Sequence, residues 1–213
     1  MQRFTIFVAV IINAFTIQVH ADEAAVIEKI KKRGGTVEFD RTQLAEPVIS
    51  ISLPGGNVTD ADLKELKVFT SLKSLSFRAI VTKSPPRANG RITDAGLKEL
   101  KDLKNLQFLD LAGQVQITDS GLKELKAFDQ LESLVLIHNN ITDAGLKELV
   151  ELTNLRRLTI KFTKVTVAGL SDLKNLKSLK TLVLGNNSVK FNYYAEVKAA
   201  LPDVEILEES YGR

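Results

Sequence analysis

The chain has 213 residues, of which 44% are hydrophobic and 26% are charged, a balance that is typical of a folded domain and not of a disordered chain. Its 29 Lys and Arg residues and 26 Asp and Glu residues are interleaved and leave a net charge of +3, which makes no case for nucleic-acid binding. Because the chain has no cysteine, disulfides, thiolate nucleophiles and thiolate metal sites are excluded.

The first 21 residues show the pattern of a secretory signal peptide. Arg3 gives a positive start, residues 4–15 are mostly apolar, and Val19 and Ala21 are small residues at the positions that a signal peptidase reads. A membrane anchor is the alternative, but the apolar run is shorter than the roughly 20 residues that a spanning helix needs. We therefore predict a secreted or periplasmic protein that is cleaved after Ala21 and does not bind membranes afterwards.

An amphipathic helix is predicted over residues 22–35, and the pair Gly34-Gly35 ends it. The apolar side of this helix consists of Ala25, Val26, Ile27 and Ile30. A short strand over residues 36–40 should follow. We assign residues 22–47 to an N-terminal cap, because the array of repeats that begins at residue 48 would otherwise expose an apolar end.

Nearly the same nine residues occur three times, as ITDAGLKEL at 92–100, ITDSGLKEL at 117–125 and ITDAGLKEL at 141–149. Such a fixed period predicts a solenoid of stacked units. Within one unit, apolar residues recur first every three positions, as in a helix, and then every two positions, as in a strand with one buried face. The helical set includes Leu122, Leu125 and Phe128, and the strand set includes Leu134 and Leu136.

Architecture explains the repeated nonapeptide. Thr118 precedes a predicted helix, where its hydroxyl can accept from free backbone N–H groups, and Asp119 places negative charge at the positive end of the helix dipole. The missing side chain of Gly121 allows the adjoining unit to come close. Each unit is therefore a helix followed by a strand, and seven parallel strands are expected in all.

The segments LESLVLIHNNI at 131–141, LRRLTIKFTKV at 155–165 and LKTLVLGNNSV at 179–189 resemble the leucine-rich repeat family. Asn139 and Asn187 occupy the family's Asn position, Thr163 replaces it once, and Gly56, Ile80 and Gln114 stand at or near its other positions. The repeats look most like those of secreted bacterial leucine-rich repeat proteins, and also like those of F-box adaptors. The resemblance implies an α/β solenoid with strands on a concave side, helices on a convex side, and function by protein binding.

Residues 48–189 are thus assigned to leucine-rich repeats and residues 190–213 to a C-terminal capping repeat. In the latter, a last helix and a strand around Val204–Leu207 are expected, with Glu205, Glu208 and Glu209 discouraging pairing at the sheet edge. On the convex side, adjoining lysine and glutamate columns such as Lys123 and Glu124 indicate a solvated face, the alternatives being an ion site or a nucleic-acid track.

Catalysis has little support in the sequence. His138 is the only histidine outside the signal peptide, and Asp110 and Ser133 are expected within a strand or two of it. A general-base role for His138 is one reading, and a binding or merely exposed histidine is the other; no serine or threonine stands in a nucleophile-elbow context. We predict no enzyme activity, no cofactor and no metal.

The concave face is defined here as the strand side chains that alternate with the buried leucines. Its predicted members are Ser74, Ser76, Arg78, Phe108, Asp110, Ala112, Ser133, Val135, Ile137, Arg157, Thr159, Lys161, Thr181, Val183 and Gly185. Exposed apolar side chains beside cations favour a protein-binding patch, although drift at unconstrained positions would look similar. The predicted partner-binding residues are Phe108, Asp110, Val135, Ile137, His138, Arg157, Lys161 and Phe162.

One unit is longer than the others, because an insertion at residues 82–90 precedes Ile92. Its prolines and Asn-Gly pair predict a loop on the rim of the concave face, with Lys83, Arg87 and Arg91 as candidate binding residues. A tolerated surface insertion is the alternative.

We read the chain as a monomeric, non-catalytic module that binds a protein partner through its concave face, and not nucleic acid or membrane. The alternatives are an inhibitor or accessory module of a secreted hydrolase and an F-box-like substrate adaptor. An adaptor would need a partner-docking element outside the repeats, and the sequence offers none.

Overall fold

The computed structural model describes residues 21–54, 56–78, 90–185 and 193–209, and the structural statements below refer to these ranges. The predicted signal peptide, except Ala21, lies outside them, as do Lys83, Arg87, Ile80 and Asn187. Within the described ranges, no helix is both long and apolar enough to cross a membrane.

One eight-stranded sheet runs through the described chain with its strands in sequence order. The strands are β1 (Thr36–Phe39), β2 (Val48–Ser52), β3 (Ser74–Ser76), β4 (Phe108–Asp110), β5 (Ser133–Ile137), β6 (Arg157–Lys161), β7 (Thr181–Gly185) and β8 (Glu205–Glu208). β1 is antiparallel to β2, and every later neighbouring pair is parallel. The prediction of seven parallel strands is confirmed, and the antiparallel β1 extends the sheet at its N-terminal end.

Short helices connect the strands and line the opposite side of the molecule. They are α1 (residues 21–32), α2 (Asp60–Glu65), α3 (Asp94–Glu99), α4 (Asp119–Leu122), α5 (Asp143–Glu148), α6 (Val167–Asp172) and α7 (Tyr193–Ala200). 3₁₀ turns continue four of them, at Leu66–Val68, Lys123–Ala127, Leu149–Glu151 and Leu173–Asn175. The tighter turn keeps residues three apart on one face, which is the spacing that the sequence shows.

Stacked leucines form the core between the sheet and the helices. Leu109, Leu134, Leu158 and Leu182 pair in register on neighbouring strands, and each is fully buried. Phe128 closes its unit at the end of the helical stripe and is also fully buried. The predicted columns of apolar side chains are therefore confirmed, and burial of these columns drives the stacking of the units.

A ladder of Asp–Thr hydrogen bonds joins successive units on the helix side. Asp119 accepts from the backbone N–H of Thr142 at 2.8 Å and from its hydroxyl at 2.7 Å. The same double contact links Asp60 to Thr93, Asp94 to Thr118, and Asp143 to Thr166. Each of these Thr hydroxyls in turn accepts from the N–H group two residues later, as the predicted N-cap requires. The aspartate at the helix start thus stabilises the contact between units.

The glycine of the nonapeptide leaves room for this aspartate. A Cβ atom on Gly145 would collide with Oδ1 of Asp119, and the same collision occurs for Gly121 with Asp94. The close approach predicted for Gly121 is therefore confirmed, and its cause is the carboxylate of the preceding unit.

The first unit has no preceding aspartate and uses a different device. Asp62 occupies the glycine position, and its Oδ2 accepts from the N–H and the hydroxyl of Thr59 at 2.8 and 2.9 Å. Arg33, at the end of the cap helix, contacts the other oxygen of Asp62 at 2.7 Å.

Val26 and Ile30 of α1 are buried, whereas Ala25 is exposed, so its predicted place on the apolar side is wrong. The register of α1 turns that residue to solvent.

Gln114 performs the bridging role of the missing Asn. Its side chain is fully buried, donates to the carbonyl of Phe77 at 2.9 Å and accepts from the N–H of Ile92 at 3.2 Å. Asn139, one unit later, donates to the carbonyls of Leu111 and Gln114 at 3.0 and 2.8 Å. The longer Gln side chain therefore connects the units on either side of the insertion.

Candidate protein-binding face

The strand registers place the concave-face residues in rows that cross the sheet. The first row is Ser74, Phe108, Ser133, Arg157, Thr181 and Glu205. The second row is Ser76, Asp110, Val135, Thr159, Val183 and Leu207. A third row contains Ile137, Lys161 and Gly185. The structure thus brings the predicted strand residues onto one face.

Exposure differs strongly between the rows and corrects three expectations. Arg157 is exposed, and Phe108 and Ile137 are half-buried. Val135 is only 8% exposed, Asp110 is 3% exposed and Lys161 is 4% exposed, although all three were expected on the surface. Neighbouring strands are about 4.8 Å apart, so side chains on the two flanking strands are close enough to cover a side chain between them when that side chain is short or is held in an ion pair.

Asp110 is a buried carboxylate that the protein itself neutralises. Its Oδ1 accepts from the N–H of Ala112 at 2.9 Å, and its Oδ2 lies 3.2 Å from Nε of Arg78 and 3.5 Å from the hydroxyl of Ser76. The Arg78 side chain remains 66% exposed, which makes it available on the surface of this face.

Lys161 is a buried cation whose ammonium group forms an ion pair with Glu209, the residue after β8. Its side chain is 6% exposed, whereas that of Glu209 is 59% exposed. The hydrogen bond from Lys161 and its positive charge lower the pKa of the Glu209 carboxyl below 4.5. Gly185 lies between them on β7, where a Cβ atom would lie 2.3 Å from the backbone oxygen of Glu209 and 3.4 Å from Cδ of Lys161, so the missing side chain leaves room for Glu209 beside the lysine stem.

His138 and Phe162 form a stacked pair at the ends of β5 and β6. Their ring centroids are 4.2 Å apart and the ring planes differ by 11°. Both residues have left-handed backbone conformations, with φ of 55° and 52°, and Gly113 has φ of 83° at the matching position one unit earlier. Only glycine adopts this conformation without strain. Burial lowers the pKa of His138 from the ordinary value of a histidine, which favours the neutral imidazole.

The residues considered for acid–base catalysis do not meet. Ser133 begins β5 and His138 follows its end, so the two are five residues or roughly 16 Å apart along the strand. Asp110 pairs with Val135, three residues or roughly 10 Å short of His138. This arrangement does not assemble a Ser–His–Asp triad from these residues. Among the residues that the structure describes, no three His, Asp or Glu side chains cluster as metal ligands.

Of the predicted rim-loop residues, only Arg91 lies within the described chain. It is exposed and forms an isolated bridge to Thr59 of the preceding unit. It directly precedes the repeated nonapeptide and lies three residues before the start of α3.

Sequence reasoning missed Glu209 as part of the candidate site, and it placed Arg78 on the concave face without including it among the partner-binding residues. Lys161, Gly185 and Glu209 are each 24 residues apart, so the repeat period alone places them in one row. The same arithmetic shows that a lysine, a residue without a side chain and a carboxylate follow one another across the sheet. That signal was available in the sequence.

No family model matches the chain, and no curated protein matches it. An internalin, InlF, from Listeria monocytogenes is similar in structure, with a TM-score of 0.53 and 22% identity over 90% of this chain. A leucine-rich repeat protein from Leptospira interrogans gives a TM-score of 0.46 and 27% identity over 67% of this chain. This chain spans 56% of the first protein and 33% of the second. With the in-register sheet and the stacked units, the likeness to the internalin shows that the chain has the leucine-rich repeat fold.

Proposed function

We propose that the chain is a non-catalytic module that binds a protein partner through its concave face. The observation that carries this proposal is the first row of that face, where Phe108, Ser133 and Arg157 lie on adjacent strands in register. Aromatic and Arg side chains contribute much of the energy of protein interfaces. The residues of this row are half-buried or exposed, so they are accessible to a partner.

The framework behind this row favours binding of a large surface. Seven parallel strands at about 4.8 Å spacing give a face roughly 29 Å long. A stable interface buries about 800 Å² on each partner, which a face of this length can supply. Because the backbone hydrogen bonds and the leucine core hold the strands, the row loses little conformational entropy on association.

Site-specific photo-crosslinking tests the proposal. A benzophenone side chain is introduced at Phe108 on the concave face or, as the matched control, at Lys98, which is exposed on the helix side. We expect one partner, identified by mass spectrometry, to be crosslinked from position 108 and not from position 98. The purified partner should then bind the double variant Phe108→Ala/Arg157→Ala at least about 2 kcal/mol more weakly. Preferential crosslinking from position 98, with no loss in the double variant, would contradict the proposal.

We also propose that the chain is exported and cleaved before it binds. The support is the N-terminal sequence pattern, with its positive start, apolar run and small residues before Asp22. Intact-mass measurement of exported protein should show a chain that begins at Asp22. Full-length protein in the membrane fraction would favour the anchor reading instead. The hydrolase-inhibitor and F-box readings stay hypotheses.

A further inference from the structure

We propose that Lys161 is a docking point for an acidic side chain of the protein partner, and that Glu209 occupies this point in the free protein. The inference deepens the proposed function and rests on it, since it names the chemistry that the partner presents to the concave face. Its elements are a buried cation, an exposed intramolecular carboxylate and the glycine that lets them meet.

When a protein partner covers this part of the concave face, the ammonium group of Lys161 needs an anion beside it. A buried charge without a partner is strongly destabilising, and an ion pair with good geometry offsets that cost. Within the described residues, the carboxylate of Glu209 is the one hydrogen-bond or ion-pair partner of this ammonium group. A protein partner that covers this row must therefore leave Glu209 in place or supply a carboxylate of its own.

Asp110, the other buried charge of this face, is held differently. It accepts a hydrogen bond from the N–H of Ala112 in its own loop, in addition to its contacts with Arg78 and Ser76. Loss of Arg78 would thus leave Asp110 partly satisfied. Lys161 has no such backbone partner in the described chain, so its charge is the one that an incoming group can neutralise with most effect.

Glu209 is suited to exchange. Its side chain is 59% exposed, so it can rotate into water and be hydrated there. It follows the last strand instead of lying between two strands, and its N–H donates to the carbonyl of Leu184. That backbone bond holds the chain near β7 while the side chain moves. Exchange replaces one carboxylate by another, and the ammonium group keeps an ionic partner in both states.

The surroundings favour an acidic residue next to an apolar one. Ile137 is paired with Lys161 on the adjacent strand and is half-buried, and the stacked rings of His138 and Phe162 follow directly after these two residues. Arg157 begins the same strand and adds positive charge. A peptide with a glutamate beside a phenylalanine matches this combination of a cation and apolar surface.

Peptide binding to the whole mature chain tests the inference without the natural partner. The probes are acetyl-Phe-Glu-amide, the uncharged acetyl-Phe-Gln-amide, and acetyl-Gly-Phe with a free C-terminal carboxylate. Binding is followed by the NMR signals of the Lys161 side chain and the His138 ring. The informative variant is Glu209→Gln, which removes the internal carboxylate at an exposed position and should leave the fold intact. Glu196→Gln is the matched control, because Glu196 is an exposed carboxylate on α7, away from the concave face.

We expect acetyl-Phe-Glu-amide to bind Glu209→Gln about tenfold or more tightly than the unchanged chain, if Glu209 occupies Lys161 at least about nine-tenths of the time. The control variant should bind like the unchanged chain, and about 0.5 M salt should weaken binding in every case. Equal affinity for the Glu and Gln peptides, or no gain in Glu209→Gln, would overturn the inference and show that the ion pair only fastens the C-terminal end. Preference for the free C-terminal carboxylate would overturn the assignment to an acidic side chain.

These outcomes are separable from those of the crosslinking experiment. If the partner is crosslinked from position 108 but the peptides ignore Lys161, the proposed function stands and this inference fails. If the peptides bind at Lys161 while the partner is crosslinked only from the helix side, the proposed function fails. In that case the carboxylate site exists without the role given to it here.

Discussion

Replacing Asp119 by Ala should weaken the contact between two central units without touching the hydrophobic core. The substitution removes both hydrogen bonds to Thr142, at 2.8 and 2.7 Å, and leaves the Thr142 N–H group without its acceptor. Hydrogen bonds to a charged group contribute about 1.5–3 kcal/mol each. Since the site is only partly buried, water replaces part of this loss, and we expect a decrease of about 2–4 kcal/mol in the free energy of unfolding.

Urea denaturation followed by circular dichroism measures this decrease, and amide hydrogen exchange locates it. Exchange at the Thr142 N–H should accelerate most, because stability in stacked repeats is largely a sum of nearest-neighbour contacts. The free energy of unfolding of Asp119→Asn should lie between those of the unchanged protein and Asp119→Ala, since the single acceptor oxygen of Asn can keep the bond to the Thr142 N–H. Asp102→Ala is the control at an exposed aspartate without a side-chain hydrogen bond in the described chain, and it should change stability by less than about 0.5 kcal/mol.

The reasoning would be refuted if Asp119→Ala and Asp102→Ala gave equal changes. It would also be refuted if Thr142 exchanged at the rate of the unchanged protein. Either result would mean that stacking of the leucine columns alone sets the contact between units, and that the Asp–Thr ladder only accompanies it.

Three further predictions concern the glycine, the core and the histidine. Gly145→Ala should destabilise the chain although alanine favours helices by about 1 kcal/mol, because the new methyl displaces the Asp119 carboxylate; in an Asp119→Ala background the penalty should largely disappear in a double-mutant cycle. Leu134→Ala should cost about 2–5 kcal/mol in denaturant melts, and Lys123→Ala on the helix side less than about 0.5 kcal/mol, so equal effects would contradict the assigned register. Because burial lowers the pKa of His138, the unfolded chain binds a proton more readily than the folded chain. The contribution of His138 to the free energy of unfolding should therefore be complete above pH 6.5 and should decline as the pH falls toward the lower folded pKa. A His138→Gln variant should lack that decline, and an NMR titration midpoint of His138 at or above 6.5 would disprove the burial effect.

The sequence predicted which side chains lie on the face of the candidate site, but not which of them are exposed. Period and alternation were enough to place Phe108, Ser133 and Arg157 on one face, and the strand registers confirm it. The same rules gave Val135, Asp110 and Lys161 as surface residues, and these are buried. Alternation specifies which side of the sheet a side chain takes, but exposure depends on the sizes and contacts of its neighbours on other strands.

The sequence by itself determined the repeat length, the order of helix and strand in each unit, and the columns that fill the core. It could do so because these features depend on local spacing, which the chain repeats many times. Even the glycine of the nonapeptide was correctly linked to close approach of an adjoining unit, which is the preceding one. The aspartate beside it was assigned to the helix dipole, because its second role involves a residue 23 positions further along the chain.

Only the tertiary structure decided how polar groups are paired between units. Asp119 bonds to Thr142, Gln114 connects the units on either side of the insertion, and Lys161 reaches Glu209 across Gly185. Each pairing depends on which atoms lie within about 3 Å after the units have stacked, and a hydrogen bond is lost over an error of less than 1 Å. The local sequence pattern determines on which face of a helix or strand a side chain lies. Its hydrogen-bond partner belongs to another unit, and only the packing of the two units determines which atom that is.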